Sequence, residues 1–136
     1  MTNATSDLAE RFADALDRND FAAAGELVSE DCAYSTASKE YRGRAEVMQS
    51  FMDASAWARE RIERVTYRHS ILLADDRAAT IRFIDDLEHG GKRIIHECLM
   101  HLTLGGGGTI ASLALEEPPG ERDRVMALLR EAGVEV

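Results

Sequence analysis

The stretch from Ala78 to Leu104 constrains this chain more than any other, because two alternating runs flank a glycine pair. Ala79-Ile81-Phe83-Asp85-Leu87 alternates with Thr80-Arg82-Ile84-Asp86, and Ile94-His96-Cys98-Met100-Leu102 alternates with Ile95-Glu97-Leu99-His101. Successive side chains on a strand point to opposite faces, so this pattern predicts a hairpin with one mostly apolar face. A turn at Gly90-Gly91 pairs Asp85 with His96, whereas a turn at His89-Gly90 pairs Phe83 with His96 and Ile94 with Asp85. Either register leaves Asp85 and His96 on the apolar face. Ionisable groups on such a face need a partner, or they mark a site.

The rest of the chain alternates less strictly. Residues Asp7 to Arg18 predict a helix with Leu8, Phe12, Ala15 and Leu16 as its apolar stripe and Asp7 and Glu10 as a capping box. Asn19-Asp20 breaks it and caps a short helix over Ala22–Val28. A strand is expected over Asp31–Ser38, then a loop through Glu40-Tyr41-Arg42, and a helix from about Arg44 to Met52. Ala54–Glu60 is ambiguous, although it suits a continued helix. Ile62–Leu73 reads as a strand with Val65, Tyr67, His69, Ile71 and Leu73 on one face. After the four glycines Gly105–Gly108, a last strand over Thr109–Glu117 puts Ala111, Leu113, Leu115 and Glu117 together. Pro118-Pro119-Gly120 ends the sheet, and a helix follows over Glu121–Ala132.

The fold class expected is α+β: N-terminal helices on the concave face of a curved antiparallel sheet, plus an extra C-terminal helix. With 136 residues and no linker or repeat, one domain is expected, with its core over about 7–117 and the last helix over about 120–133. The net charge of −9, with Lys39 and Lys92 the only lysines, argues against nucleic acid and anionic membranes as partners. Cys32 and Cys98 form no CxxC and read as buried free thiols. The first residues have no signal-peptide pattern and no apolar run is long enough to span a membrane. A cytoplasmic location is therefore expected.

Three phrases carry a resemblance: Leu16-Asp17-Arg18-Asn19-Asp20-Phe21, Leu27-Val28-Ser29-Glu30-Asp31-Cys32-Ala33 and Tyr41-Arg42-Gly43-Arg44-Ala45-Glu46. In this order, followed by these strands, they resemble the nuclear-transport-factor-2-like superfamily of cone-shaped folds. The branch most similar is the SnoaL-like one, which includes polyketide cyclases and ketosteroid isomerases. The resemblance implies a pocket between helices and sheet, and a dimer interface on the outer sheet face. It also places Phe12, Met100 and Thr36 where ketosteroid isomerases carry their tyrosine, strand acid and base, so the steroid-isomerase mechanism is disfavoured.

Strand parity and the resemblance together give a candidate pocket. Its polar members are Tyr34, Thr36, Tyr67, His69, Asp85, His96 and Glu117, among Phe12, Phe51, Phe83, Cys98, Met100, Leu113 and Leu115. His96 is the expected acid/base with Asp85 orienting it, while Tyr34, Tyr67 or His69 donates to a substrate oxygen. Asp85 and His96 as a plain buried polar pair is the competing reading. The spacing of His69, Asp85, His96 and Glu117 matches no metal motif, and neither metal nor cofactor is expected. The function expected is binding of an apolar small molecule, with cofactor-free isomerase, cyclase or dehydratase chemistry. The alternatives are a non-catalytic binding module and a dimeric scaffold whose core is filled by Phe12, Phe51, Phe83 and Met100. A homodimer is expected through the face carrying Arg82, Ile84, Glu97, Leu99 and His101.

Overall fold

The computed structural model describes residues 3–136. Helix α1 spans Ala4–Asp17, and Asn3 caps it by accepting a hydrogen bond from the Ser6 amide at 2.6 Å. The helix thus starts earlier than the Asp7–Glu10 pattern suggests, and Glu10 is used elsewhere. Leu8, Ala9, Phe12, Ala13 and Ala15 form its buried face. It ends at Asn19, whose φ of 57° is left-handed, a conformation Asn tolerates better than most residues. Asp20 then caps α2 (Phe21–Glu26) through the Ala23 amide.

Strand β1 spans Val28–Ser35 and pairs with the short β2, Glu40–Arg42, in place of the expected loop. Gly43, at φ 91°, turns the chain into α3, Arg44–Arg61. The ambiguous segment is therefore helix, carrying Trp57 in its last turns. Strands β3 (Arg64–Ala74), β4 (Ala78–His89), β5 (Lys92–Leu104) and β6 (Ile110–Glu116) follow, then α4, Glu121–Glu131. None of the described helices is long and apolar enough to cross a membrane.

The strands form one curved, open sheet in the order β2-β1-β6-β5-β4-β3. Its pairings are antiparallel except β1 with β6, which is parallel. The hairpin takes the Gly90-Gly91 turn: His89 faces Lys92 and Asp85 faces His96. Both glycines have positive φ, 58° and 75°, as a type I′ turn demands.

Two irregularities change faces. A bulge between Ile71 and Leu73 pairs Leu73 with Thr80, so Ala74 turns to the core and Leu73 is 71% exposed. One extra residue reverses the alternation beyond it. Likewise a shift after Thr103 buries Ile110 rather than Ala111. His89, at the hairpin tip where solvation is the simplest expectation, is half-buried and accepts the Glu63 amide on Nδ1.

The apolar interior has two parts. The larger joins α1, α2 and α3 to the sheet around Phe12, Val28, Val47, Ile81, Leu102 and Leu113. The smaller gathers Ile62, Leu87, Ile94, Val125, Leu129 and Val134, so α4 brings its own core to the far end of the hairpin.

Candidate functional site

Between these two cores lies a cavity of about 300 Å³. Leu16, Asp17, Asn19 and Phe21 line it from α1 and the start of α2, Phe51, Ser55 and Trp57 from α3, and Val125, Met126 and Leu129 from α4. The sheet contributes Tyr34, Val65, Tyr67, Phe83, Asp85, Leu87, Cys98, Met100 and Leu115. The wall is thus almost wholly apolar or aromatic, with a few polar groups on the α1 and hairpin side. The structure leaves this space open despite the large side chains around it. Phe12 lies fully buried behind the wall, edge-on to Phe51 at 6.3 Å.

Asp85 is the group that stands out in this wall. It makes no hydrogen bond to any described residue, and only burial and neighbouring charges act on it. Burial pushes its carboxyl up to about 6; nearby His96 pulls the other way, while Asp17 and Glu117 add to the rise. Tyr67 is its cross-strand neighbour on β3. Burial, then the Asp85 charge, raises the Tyr67 phenol. Cys98, pushed up to about 12 chiefly by burial, is a neutral thiol and no nucleophile. Tyr34, likewise raised by burial, is stacked between Tyr41 and Phe51 at 5.6 and 5.0 Å.

His96 shares the concave face with Asp85, as parity requires, but its ring does not line the cavity. Nδ1 lies 2.9 Å from Glu121 Oε2 on α4, and Nε2 lies 3.4 Å from Glu117 Oε2. Glu121 is buried; it also takes Arg124 and accepts the Glu97 amide. Arg124 above all, against some cost of burial, and then His96 hold its carboxyl down at about 2. His96 is thus a tie between sheet and α4, with Glu117 as its second partner.

His69 is also tied rather than free. Its Nδ1 is 2.6 Å from Asp17 Oδ2 and its Nε2 is 2.6 Å from Glu10 Oε1. Burial alone would lower its pKa, but the hydrogen bonds and charges of these two carboxylates outweigh that and raise it. Asp17 is raised by burial and pulled back by His69. Thr36 closes the β1–β2 turn, where its Oγ1 accepts the Lys39 amide, and takes no part in the wall. Among the described residues, no group of three or more His, Cys, Asp or Glu side chains could hold a metal ion.

The residues that the sequence alone leaves unmarked are Asp17, Asn19, Ser55 and Glu121. Ser55 Oγ donates to the Asn19 side-chain Oδ1 at 2.9 Å, fixing the end of α1 against α3. A signal for Asp17 existed: Glu10 and Asp17 are seven residues apart, which puts them on one helix face. Glu121 lies beyond the sheet, and nothing in local spacing links it to His96.

The sequence pattern of SnoaL-like domains matches residues 9–113. A search of curated proteins gives no sequence match. Among solved structures, TerC co-crystallised with polyporic acid is similar, with a TM-score of 0.74 at 6% identity over 92% of this chain and 99% of TerC. An LEH-like epoxide hydrolase of M. tuberculosis superposes with a TM-score of 0.66 at 17% identity, over 95% of this chain and 91% of that one. An NTF2-like protein of unknown function from Burkholderia pseudomallei K96243 gives 0.71 at 10% identity, over 91% and 98%. At such identities these structures share the fold alone, whereas the sequence pattern covers most of the chain: the protein belongs to the SnoaL-like domain family.

Proposed function

We propose that this protein binds a largely apolar small molecule in its cone, and that Asp85 is the acid/base group of that site. The carrying observation is a cavity of about 300 Å³ with an apolar and aromatic wall in which Asp85 has no hydrogen-bonding partner among the described residues. Pockets of this kind orient a ligand with few polar groups, and a carboxyl brought up to about 6 suits proton transfer near neutral pH. The reaction class is cofactor-free proton transfer, as in isomerisation, cyclisation or dehydration. Tyr67 supplies a hydrogen bond to a substrate oxygen. The acid/base role moves from His96 to Asp85, because both His96 ring nitrogens are engaged by glutamates. TerC, with polyporic acid in its co-crystal, supports small-molecule binding by this shape of protein.

The test is a thermal-shift panel of apolar compounds. A ligand at one hundred times its Kd stabilises the native state by about 2.7 kcal/mol. Filling the cavity with Leu115→Trp should abolish the shift while the fold persists. A panel without any stabilising compound would overturn the binding reading. Turnover of a binding compound that Asp85→Asn leaves unchanged would overturn the catalytic one.

With this reading goes a homodimer through the outer sheet face. Ile84 and Leu99 stand there among the Arg82–Glu97 pair and the Thr80–His101–Glu116 chain of hydrogen bonds. Light scattering at tens of micromolar should give twice the 15.0 kDa chain mass, and a monomer there counts against it.

A further inference from the structure

We propose that the ligand of this cavity is an apolar molecule carrying one protonated amine, held by the Asp85 carboxylate and by the aromatic faces beside it. The inference rests on the cavity being a small-molecule site and adds the charge of what enters it.

Three observations carry it. First, among the described residues that line the cavity there is no Lys, Arg or His. The wall offers a ligand carboxylates and neutral groups, and no positive charge. Second, the nearby histidines are already committed: His96 to Glu117 and Glu121, His69 to Asp17 and Glu10. Among the described residues, Asp85 is therefore the carboxylate that faces the cavity with no cation bonded to it. A carboxylate in an apolar wall is costly until an opposite charge meets it. Third, aromatic side chains share the wall with it. Phe83 stands two residues away on the same face of β4 and Tyr67 is directly across on β3, while Phe51 and Trp57, the latter with Arg61 over its ring at 4.9 Å, line the wall from α3. Aromatic faces attract ammonium groups, and more so when water is excluded.

The alternatives fit worse. An anionic ligand would meet Asp85 and Asp17 with nothing to offset them. A neutral hydroxyl could donate to Asp85 but would leave its charge uncompensated. The net charge of −9 also favours the approach of a cation.

Three indoles of similar size separate these cases: tryptamine (cationic), tryptophol (neutral) and indole-3-propionate (anionic). Titration calorimetry on the full chain at about pH 7.5 should find tryptamine bound at least about tenfold more tightly than tryptophol, with indole-3-propionate weakest. In Asp85→Asn, tryptamine should fall to the affinity of tryptophol. A second arm varies the pH. The groups facing Asp85 are Tyr67 from β3, His96 and Cys98 from β5, Asp17 from α1 and Glu117 beyond β6, while α3 presents the uncharged Ser55. Protonation of Asp85, whose carboxyl is pushed up to about 6, should weaken tryptamine about tenfold between about pH 7.5 and about pH 5. Tryptophol should be unaffected, and in Asp85→Asn the pH dependence should vanish. Equal binding of tryptamine and tryptophol, or tightest binding of indole-3-propionate, overturns the amine inference and leaves the cavity reading standing. Tryptamine selectivity that survives Asp85→Asn overturns it as well. Absence of binding by all three also overturns it, and the wider apolar panel then decides the cavity reading separately.

Discussion

Asp85 sits where its ionised form is disfavoured, and that has a measurable effect on stability. Its folded pKa is raised from 3.8 to about 6. The sign follows from linkage: its contribution is fully present below the unfolded value and is lost as pH rises through about 6. At neutral pH the side chain therefore lowers stability. Asp85→Asn should stabilise the protein by on the order of 2–3 kcal/mol at pH 7 and by almost nothing at pH 3, read from urea unfolding. A destabilised variant at pH 7 would mean that Asp85 has a partner in the fold after all. The facing of Asp85 was legible in the sequence, because period-two alternation over an unbroken hairpin leaves no other face for it. The destination of the His96 ring was not. Parity set its face, but its partners Glu117 and Glu121 lie 21 and 25 residues further on, and only the docking of α4 brings Glu121 to it. His69 is a similar case, with its partners 52 and 59 residues earlier.

At the scale of elements, the hairpin tip and α4 are fitted to each other. A Cβ added to Gly90 would lie 2.6 Å from the Ala132 carbonyl oxygen, whereas one on Gly91 would meet nothing within 4 Å. Both residues have positive φ, so an alanine at either position costs about 1 kcal/mol in backbone strain. Gly90→Ala must also push the end of α4 outwards, and it should cost about 1–3 kcal/mol more than Gly91→Ala in chemical denaturation. Equal losses would mean that the α4 terminus yields freely. The elements that the sequence left open or assigned to the other face have physical reasons. Helix α3 has apolar residues scattered around its circumference, since it faces the sheet, α2 and the cavity at different heights, so no single stripe announced its second half. The bulge at Ile71–Leu73 leaves two leucines exposed, Leu72 at 48% and Leu73 at 71%. Alternation put Leu73 on the inner face with Ile71, and the bulge in the pairing with β4 decided otherwise, while Leu72 stands on the outer face as alternation expects.

For the molecule as a whole, opposing titrations set a window of stability. Glu121, held at about 2, contributes above its unfolded value of 4.5, and this is lost as pH falls through the folded one. Asp75 and Asp86, also lowered, act in the same direction. Asp85 acts the opposite way, as does His69, whose raised pKa gives stability below 6.5 that fades as pH rises through the folded value. Net charge reinforces this, since the chain approaches neutrality near its pI of 4.9 and repels itself less there. Thermal unfolding should therefore be most resistant between roughly pH 4.5 and 6, below the neutral optimum of many proteins. A maximum at or above pH 7.5 would contradict this balance. The architecture was legible at this scale because element order and local phrases are properties of long segments. The site was less so, because residues from both ends of the chain, on α1 and α4, line it.

Helix α4 walls one side of the cavity; its covalent link to the sheet is Pro118-Pro119-Gly120, and it packs on Leu87 and Ile94 and bonds to His96 and the Glu97 amide. A helix held by few contacts outside one small apolar cluster is expected to open locally at less cost than global unfolding. For a ligand held as proposed, residence would then follow how often this helix lifts, and hence the contacts of Glu121 to His96 and the Glu97 amide and of Arg124 to the Ile95 carbonyl. In hydrogen–deuterium exchange the amides of α4 should exchange ahead of those of β4 and β5, and an occupied cavity should slow them first. Loosening the tie with Glu121→Gln should shorten residence more than it weakens the fold.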